Sequence, residues 1–589
     1  MTTAASAPVL PTGSAPRPVA GWRLLLDHLG HAVVDLWRQK VVTLFTVVVP
    51  LVWLVVVGFI AGNEVLDEGG VRVMQFITPT AAAMGVLYAS FPTVAISLAE
   101  ARHSGVLRRI RSTPLPLGTY LAARIGAAVV FAVGSVLIMM TVGVLVYDVR
   151  VVGSTAVATV VTVLAALVCF AAVGTAVAAW SRTLALAQAA SIGSAVALTF
   201  VSGMFTLGGT MPGWLDRLGD LLPLKPVAAA LQDQMNPYHP AVGWDVEGVA
   251  VLVVWTAVAV VLAVRGLKRE PGGRSGVGAP SPAVPAGGAG PASRRGRSAP
   301  AARDEDASSV VARTPPGGEL GRSVPAVPSL PAGPVADVPS AGRLLRDQVV
   351  AGARATWRDP GSLFFAVVLP VGLYAFMLTL QGGGGAMPDG TPVAAFFAAS
   401  MVTWGTAVAA FTNLPETVAT ARDAGVLQRL RATPLRRWQL LVGRGATAVG
   451  TGLVVTAGVL ALGSAAYDVR VTAAGVLLGG LVVVLGAAAL GACGFALAAA
   501  VPSAKAFGAV ALVVLLPLAF FSEVFVVGGP AWMGRVGDVF PLKHLQNALA
   551  LAWAPQPSVG WAHVAVLLAW GLVAGLVAVR WFRWDARRR

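Results

Sequence analysis

The stretch ARHSGVLRRIRSTPL, residues 101–115, carries four arginines, in a chain of 589 residues that is 56% hydrophobic and only 12% charged. It is written twice: ARDAGVLQRLRATPL, residues 421–435, keeps ten of its fifteen positions at an offset of 320. A basic, proline-terminated phrase repeated in an apolar chain is the feature whose reading decides the fold.

With so few charges and a strongly positive mean hydropathy, the chain falls outside the range of soluble domains and reads as a polytopic membrane protein. The formal net charge of +16 does not point to nucleic acid, because the basic residues sit at the ends of apolar runs and not on one soluble module. Two cysteines, Cys169 and Cys493, each lie inside an apolar run, which excludes a disulfide framework and speaks against a metal site. Residues 1–20 have proline and glycine where a signal peptide needs an apolar core, and read as a cytoplasmic tail.

A bilayer core of about 30 Å takes about 20 apolar residues per helix. Twelve segments qualify: 41–61, 76–98, 118–146, 154–180, 184–207 and 246–266, then 361–380, 392–418, 440–466, 471–500, 506–527 and 558–579. Arginine and lysine accumulate on the cytoplasmic side of membrane proteins. The loop after span two holds Arg102, Arg108, Arg109 and Arg111; its counterpart holds Arg422, Arg429, Arg431, Arg436 and Arg437. Those loops are expected inside. The loop after span one (Glu64, Asp67, Glu68 against Arg72) and the loop after span five (Asp216, Asp220, Asp233, Asp245, Glu247 against Arg217 and Lys225) are net acidic and expected outside. Both termini then lie in the cytoplasm, with Trp581 and Trp584 at the interface.

The repeat is wider than the opening phrase. At the same offset Trp37-Arg38 matches Trp357-Arg358, Pro50 matches Pro370, Arg124 matches Arg444, and the YDVR of 147–150 matches that of 467–470. At an offset of 318, PGWLDRLGDLLPLKP (212–226) answers PAWMGRVGDVFPLKH (530–544). One six-span unit has been duplicated and fused. An even number of spans per unit makes the halves parallel repeats about an axis along the membrane normal, with a path between them as the default inference. The expected fold is therefore an all-α polytopic membrane protein of 12 transmembrane helices in two parallel six-helix repeats. Its parts are a tail and amphipathic helix (1–40), a first membrane domain (41–270), a linker (271–340) and a second membrane domain (341–589). The linker, with thirteen prolines, cannot bury a core and reads as a disordered cytoplasmic tether.

In the phrase itself, Val106, Leu107 and Ile110 fall on one side of a helix and the arginines take the rest of the circumference, which describes a short helix at an interface. Thr113 is placed to cap a new helix with Pro114 at its first position. Gly105 and Gly425 leave one side bare and permit another backbone to approach. A helix that only touched lipid head groups would need charge, not sequence. The kept order of Gly, Val, Leu, Arg, Thr, Pro and Leu suits a docking element read by a protein.

The repeated phrase, the six-span unit and the proline-tryptophan segments resemble the membrane subunit of an ABC-2 type exporter, the class that includes daunorubicin-type multidrug exporters and O-antigen exporters. The resemblance covers each half apart from tails and linker. It implies that the helix between spans two and three is the coupling helix that inserts into an ATP-hydrolysing partner. The docking residues are then Arg102, Gly105, Val106, Leu107, Arg109, Arg111, Thr113 and Pro114, and in the second copy Arg422, Gly425, Val426, Leu427, Arg429, Arg431, Thr433 and Pro434. It also implies external re-entrant segments marked by Pro212, Trp214 and Pro223, and by Pro530, Trp532 and Pro541, and amphipathic helices at 21–40 and 341–359. An acidic residue precedes the arginine in many members; Glu100 fits, but the second copy has Thr420, with Glu416 a turn earlier, so the two docking sites are expected to differ.

The chain has five lysines, Lys40, Lys225, Lys268, Lys505 and Lys543, and none follows a glycine, so it has no Walker A loop. The expected arrangement is a transporter subunit that is not itself an enzyme and binds no cofactor or metal. ATP and magnesium would be held by two copies of a separate ABC ATPase. Ion-coupled carriers need ionisable groups deep within spans, and Arg124, Arg444, Glu416 and Glu523 fall near span ends. The six histidines are scattered over tails, loops and span edges, and no catalytic set forms. Phe200, Met204, Phe205, Phe520 and Phe521 suit a hydrophobic or amphiphilic small molecule, but core packing would use the same residues. The expected function is export of such a compound across a bacterial plasma membrane. An ion-coupled carrier, a polysaccharide exporter and a non-transporting anchor for an ATPase are the other readings.

Overall fold

A computed structural model describes residues 21–38, 44–65, 72–113, 115–204, 211–237, 245–268, 340–381, 385–387, 391–431, 433, 435, 437–525 and 530–581. The expectations for the N-terminal tail, for 271–339 of the linker, and for Pro114, Phe205, Pro434 and Trp584 lie outside the described residues.

Among the described residues the secondary structure is helical, with two isolated bridges, Val65 to Arg72 and Ala386 to Pro392. Ten helices are long and apolar enough to cross a membrane: Val73–His103, Leu117–Tyr147, Ala156–Trp180, Leu184–Val201 and Val246–Lys268 in the first half, and Pro360–Leu380, Val393–Asp423, Trp438–Ala466, Ala473–Ala500 and Trp561–Trp581 in the second. At the expected positions one and eleven stand shorter apolar stretches, Thr46–Phe59 and Ala506–Phe521. The architecture is that of an all-α polytopic membrane protein built from two copies of one unit.

The copies agree in detail that exceeds sequence identity. A π-helical turn, Leu44–Val48, opens span one, and another, Phe364–Val368, opens span seven at the same offset. Span three ends at Tyr147 and span nine beside Tyr467, where Asp148 (φ 58°) and Asp468 (φ 51°) adopt the left-handed conformation. There the amide of Val149 donates to the carbonyl of Gly143 and that of Val469 to Gly463, each at 3.1 Å. The repeated YDVR is thus a helix-terminating device in which aspartate tolerates the turn.

Span two (Val73–His103) and span eight (Val393–Asp423) are the central helices of their halves, buried nearly all round and the least apolar of the ten. The two properties have one cause. A helix wrapped by other helices does not have to dissolve in lipid, so it can carry Gln75, Thr78, Ser90 and Ser97, or Ser400, Thr403 and Thr406, which are all buried. Packing here cannot draw on the hydrophobic effect between helix and lipid, so it depends on close backbone approach. A Cβ on Gly174 would collide with the carbonyl of Phe91, and one on Gly494 with that of Phe411. The same glycine seats span four on span two and span ten on span eight.

The halves meet reciprocally. Span one of the first half, through Val52 and Val56, packs on Leu516, Phe520, Phe525 and Met533 of the second. In return, the Phe364 ring of span seven occupies the space over Gly193 of span five, and Phe376 meets Phe200 edge-on at 5.2 Å. Span one against span five, twice, is the self-complementary pattern that a two-fold axis generates.

Candidate functional site

Span two does not run straight into the short basic helix. After His103 the amide of Ser104 still donates to Glu100 at 2.9 Å and that of Gly105 to Arg102 at 3.2 Å, closing the helix. Gly105 then takes φ +75° and the chain restarts as the helix Val106–Arg111. In the second half Ala424 donates to Thr420 and Gly425 to Arg422, Gly425 takes φ +70°, and the helix Val426–Arg431 follows. A Cβ at Gly105 or Gly425 would touch nothing within 4 Å. Within the chain it is the left-handed turn that requires these glycines.

Each short helix has one face turned into its own repeat. Leu107 is 3% exposed and Leu427 2%. The first packs with Leu98, Ala101, Tyr120 and Ala187, the second with Val418 and Leu440. Burying one leucine contributes roughly 2 kcal/mol, enough to hold a helix of under two turns against the bundle. Arg108 and Arg109 in the first copy, and Gln428 and Arg429 in the second, are exposed on the other face. Val106 is partly buried and Val426 is 38% exposed. The residues singled out from sequence therefore divide into anchors and presented groups.

Arg102 and Arg422 belong to the anchors. The Arg102 guanidinium donates through Nη1 to the carbonyl of Ala178, at the end of span four. Arg422, 6% exposed, donates through Nη2 to Pro502 at 3.4 Å and pairs with Asp423 at 3.2 Å. Asp423 in turn accepts from the amide of Ala504 at 2.8 Å, tying the second copy to the start of span eleven, where the first copy has His103. The two sites thus differ at the anchor, while their presented faces keep the same arginine, Arg109 or Arg429. The side chains of Arg111 and Arg431 lie outside those described.

Thr113 does not cap the next helix as expected. Its hydroxyl donates to Ile110 at 2.7 Å, and the Thr433 hydroxyl donates to Leu430 at 2.6 Å, so each closes the short helix from behind. Span three begins instead at Leu117 with Pro116 in the capping position.

At the opposite end of the bundle the two proline-tryptophan segments form helix pairs, Gly213–Leu221 with Leu224–Gln234 and Ala531–Gly537 with Pro541–Ala552. Pro212, Pro223 and Pro530 stand immediately before helices and Pro541 at the first position of one, where a missing N–H costs nothing. Lys225 holds the first pair shut, with Nζ at 2.6 Å from Asp216, 2.7 Å from Asp220 and 3.0 Å from the Asp216 carbonyl. Lys543 does the same with Asp538 at 2.9 Å and the Gly534 carbonyl at 3.0 Å. Partial burial by itself would lower the Lys225 pKa, but the hydrogen bonds and charges of Asp216 and Asp220 outweigh it and hold the ammonium above its usual range.

Four pairings were missed in the sequence. Trp255 of span six donates to the Leu221 carbonyl and Trp570 of span twelve to that of Val539, both at 2.8 Å, clamping each helix pair to the last span of its repeat. Gln232 reaches the Thr80 hydroxyl at 2.7 Å, and Gln546 reaches Ser400, the equivalent residue, at 2.9 Å from one helical turn earlier. The tryptophans recur at an offset of 315, a shift from 318 that hides the match. The helix pairs also differ across the seam: Trp214 is 63% exposed, whereas Trp532 meets Phe59 of the other half edge-on at 5.4 Å.

The sequence profile of the ABC-2 type transporter family matches this chain twice, over residues 31–235 and 349–553. The chain belongs to the ABC-2 type transporter family. Each match begins in a surface helix and ends with the second helix of the proline-tryptophan pair, so an ABC-2 permease domain is present in duplicate and fused into one polypeptide. No curated protein matches the chain. ABC-2 membrane domains are the transport component of a system whose ATP hydrolysis resides in a partner ABC ATPase, and this permease is accordingly a multi-pass membrane protein of transport.

Proposed function

We propose that this permease is the membrane half of an ATP-driven exporter, and that a separate ATPase docks under each repeat at Val106–Arg111 and Val426–Arg431. The observation that carries the reading is the division of labour at each junction between the central span and its short helix. One leucine and one arginine grip the bundle, and an arginine-bearing face is turned out. Such a lever transmits force because Leu107 seats the first short helix on spans two, three and five, and Leu427 the second on spans eight and nine, while the arginine ties the end of the central span to the neighbouring chain. ATP-driven closure of two ATPases would move the two levers together and rock one repeat against the other across the seam of spans one and five. With the arginine-rich ends inside, both termini are cytoplasmic and the Lys225 and Lys543 helix pairs face outward across a bacterial plasma membrane.

The cargo best supported is a hydrophobic or amphiphilic compound. The seam between the halves is lined by Phe200, Phe376, Phe520 and Phe521, with Trp532 and Phe59 at its outer end. Aromatic and aliphatic walls select apolar surface and offer sugars no row of hydrogen-bonding groups. The test is reconstitution of the full chain with its co-purifying ATPase in liposomes. Vanadate-sensitive hydrolysis stimulated by apolar compounds, and lost on replacing Arg109 and Arg429 together, is the expected result. Hydrolysis indifferent to every such compound would remove the export reading, and transport driven by an ion gradient without ATP would replace it.

A further inference from the structure

Arg124 and Arg444 occupy equivalent positions about two turns inside spans three and nine, at the arginine-rich end of the bundle. The first is satisfied within the chain. Its Nη2 lies 3.2 Å from the Asp35 carboxylate on the surface helix Gly21–Arg38, and its Nε donates to the Tyr120 hydroxyl at 2.9 Å.

In the second repeat both partners are gone: Ala355 stands where Asp35 does, and Leu440 where Tyr120 does. The surface helix itself, Ala341–Trp357, keeps its register on span nine. Ala32 packs with Ala127 in the first repeat, and Gly352 lies against Thr447 at the same offset in the second. Position 355 therefore faces Arg444 as position 35 faces Arg124. Arg444 is partly buried and has no hydrogen-bond or ion-pair partner among the described residues. A guanidinium drawn partly out of water without an anion is costly, which makes the position a site for one.

The surroundings specify the anion. Ala355 is exposed, so the place of the lost carboxylate is open to an incoming group. The helix over it has become basic, with Arg343, Arg346 and Arg354, all exposed, against one aspartate, where its counterpart has two arginines against two aspartates. Trp357 is 66% exposed and Trp438 48%, one on each element that frames the site. Exposed tryptophans sit at head-group depth, and guanidinium groups bind phosphate oxygens in a planar, two-pronged manner. We propose that Arg444, beside Ala355 and the basic face of Ala341–Trp357, holds the phosphate of one anionic phospholipid in the leaflet on the arginine-rich side. The first repeat has no such site because Asp35 supplies the anion. This assignment does not depend on the ATPase reading.

The experiment is native mass spectrometry of the full-length protein in detergent, titrated with phosphatidylglycerol or phosphatidylcholine. The variants are Arg444→Gln, Ala355→Asp and Asp35→Ala, each checked for an unchanged melting curve. Wild type is expected to retain one phosphatidylglycerol in preference to phosphatidylcholine. Arg444→Gln and Ala355→Asp should weaken that binding at least tenfold, and Asp35→Ala should create a second site by freeing Arg124. Ala355→Asp changes an exposed residue, so its fold is not at risk. Unchanged phosphatidylglycerol binding in Arg444→Gln or in Ala355→Asp overturns the assignment. Displacement of the lipid by millimolar inorganic phosphate, with no preference between the two lipids, overturns the lipid and leaves a soluble anion as occupant.

Discussion

The Arg102 guanidinium donates to the carbonyl of Ala178, so the last turn of span two is bolted to the last turn of span four. Arg422 makes the equivalent reach to Pro502 and adds the Asp423 ion pair. Both arginines were expected to face a partner protein, and both face inward. Their removal should therefore separate binding from coupling. Arg102→Met and Arg422→Met are expected to cost roughly 1.5–3 kcal/mol each, the range for a hydrogen bond to a charged donor. Both variants should still bind the ATPase while its hydrolysis loses its response to cargo. Pull-down and stimulated-hydrolysis measurements on the same preparation check this.

Gly105 and Gly425 adopt left-handed backbone in open surroundings. Asparagine tolerates that conformation and β-branched residues do not. Gly105→Asn should behave close to wild type. Gly105→Val should cost roughly 1–2 kcal/mol of local stability and displace the short helix. Protease sensitivity at residues 104–112, compared between the two variants, reads this directly; equal sensitivity would mean that space and not backbone conformation selects glycine.

Gly174 and Gly494 seat neighbouring spans on the carbonyls of Phe91 and Phe411, whereas Gly134 has nothing within 4 Å of an added Cβ. Gly174→Val is expected to destabilise by about 2 kcal/mol or more through overpacking. Gly134→Ala, in the middle of Leu117–Tyr147, should be neutral to stabilising. Thermal unfolding in detergent distinguishes them.

The Lys225 ammonium, held above its usual pKa by Asp216 and Asp220, stabilises its helix pair wherever it is charged. Because the folded pKa exceeds the unfolded one, that contribution is fully present below the unfolded value of about 10.4 and is lost as pH rises through the folded value. The stability difference between wild type and Lys225→Met should stay constant from pH 7 to 9 and shrink in the strongly alkaline range. A difference that grows with alkalinity would contradict the ion-pair account.

Much of this architecture was legible because duplication writes it twice. The offset of 320 gave the six-span unit, the parallel halves and the positions of Gly105 and Gly425. What was not legible depends on contacts that leave no periodic trace. The seam rests on unrepeated pairs such as Phe364 over Gly193 and Phe59 against Trp532. The inward turn of Leu107 could not be told from outward display, since a helix of six residues puts both kinds of face within one turn of each other. Thr113 was read as an N-cap because Thr-Pro commonly begins a helix; here the hydroxyl found the carbonyl of Ile110 behind it.

If the two short helices are docking sites for an ATPase, one per repeat, the assembled transporter carries two ATPase subunits. Native mass spectrometry of the complex purified from membranes tests it by counting subunits. Wild type is predicted to carry two ATPase copies. Arg108→Asp with Arg109→Asp should leave one, and adding Arg429→Asp should leave none, with the membrane domain still folded. Two copies retained by the triple variant would contradict the account.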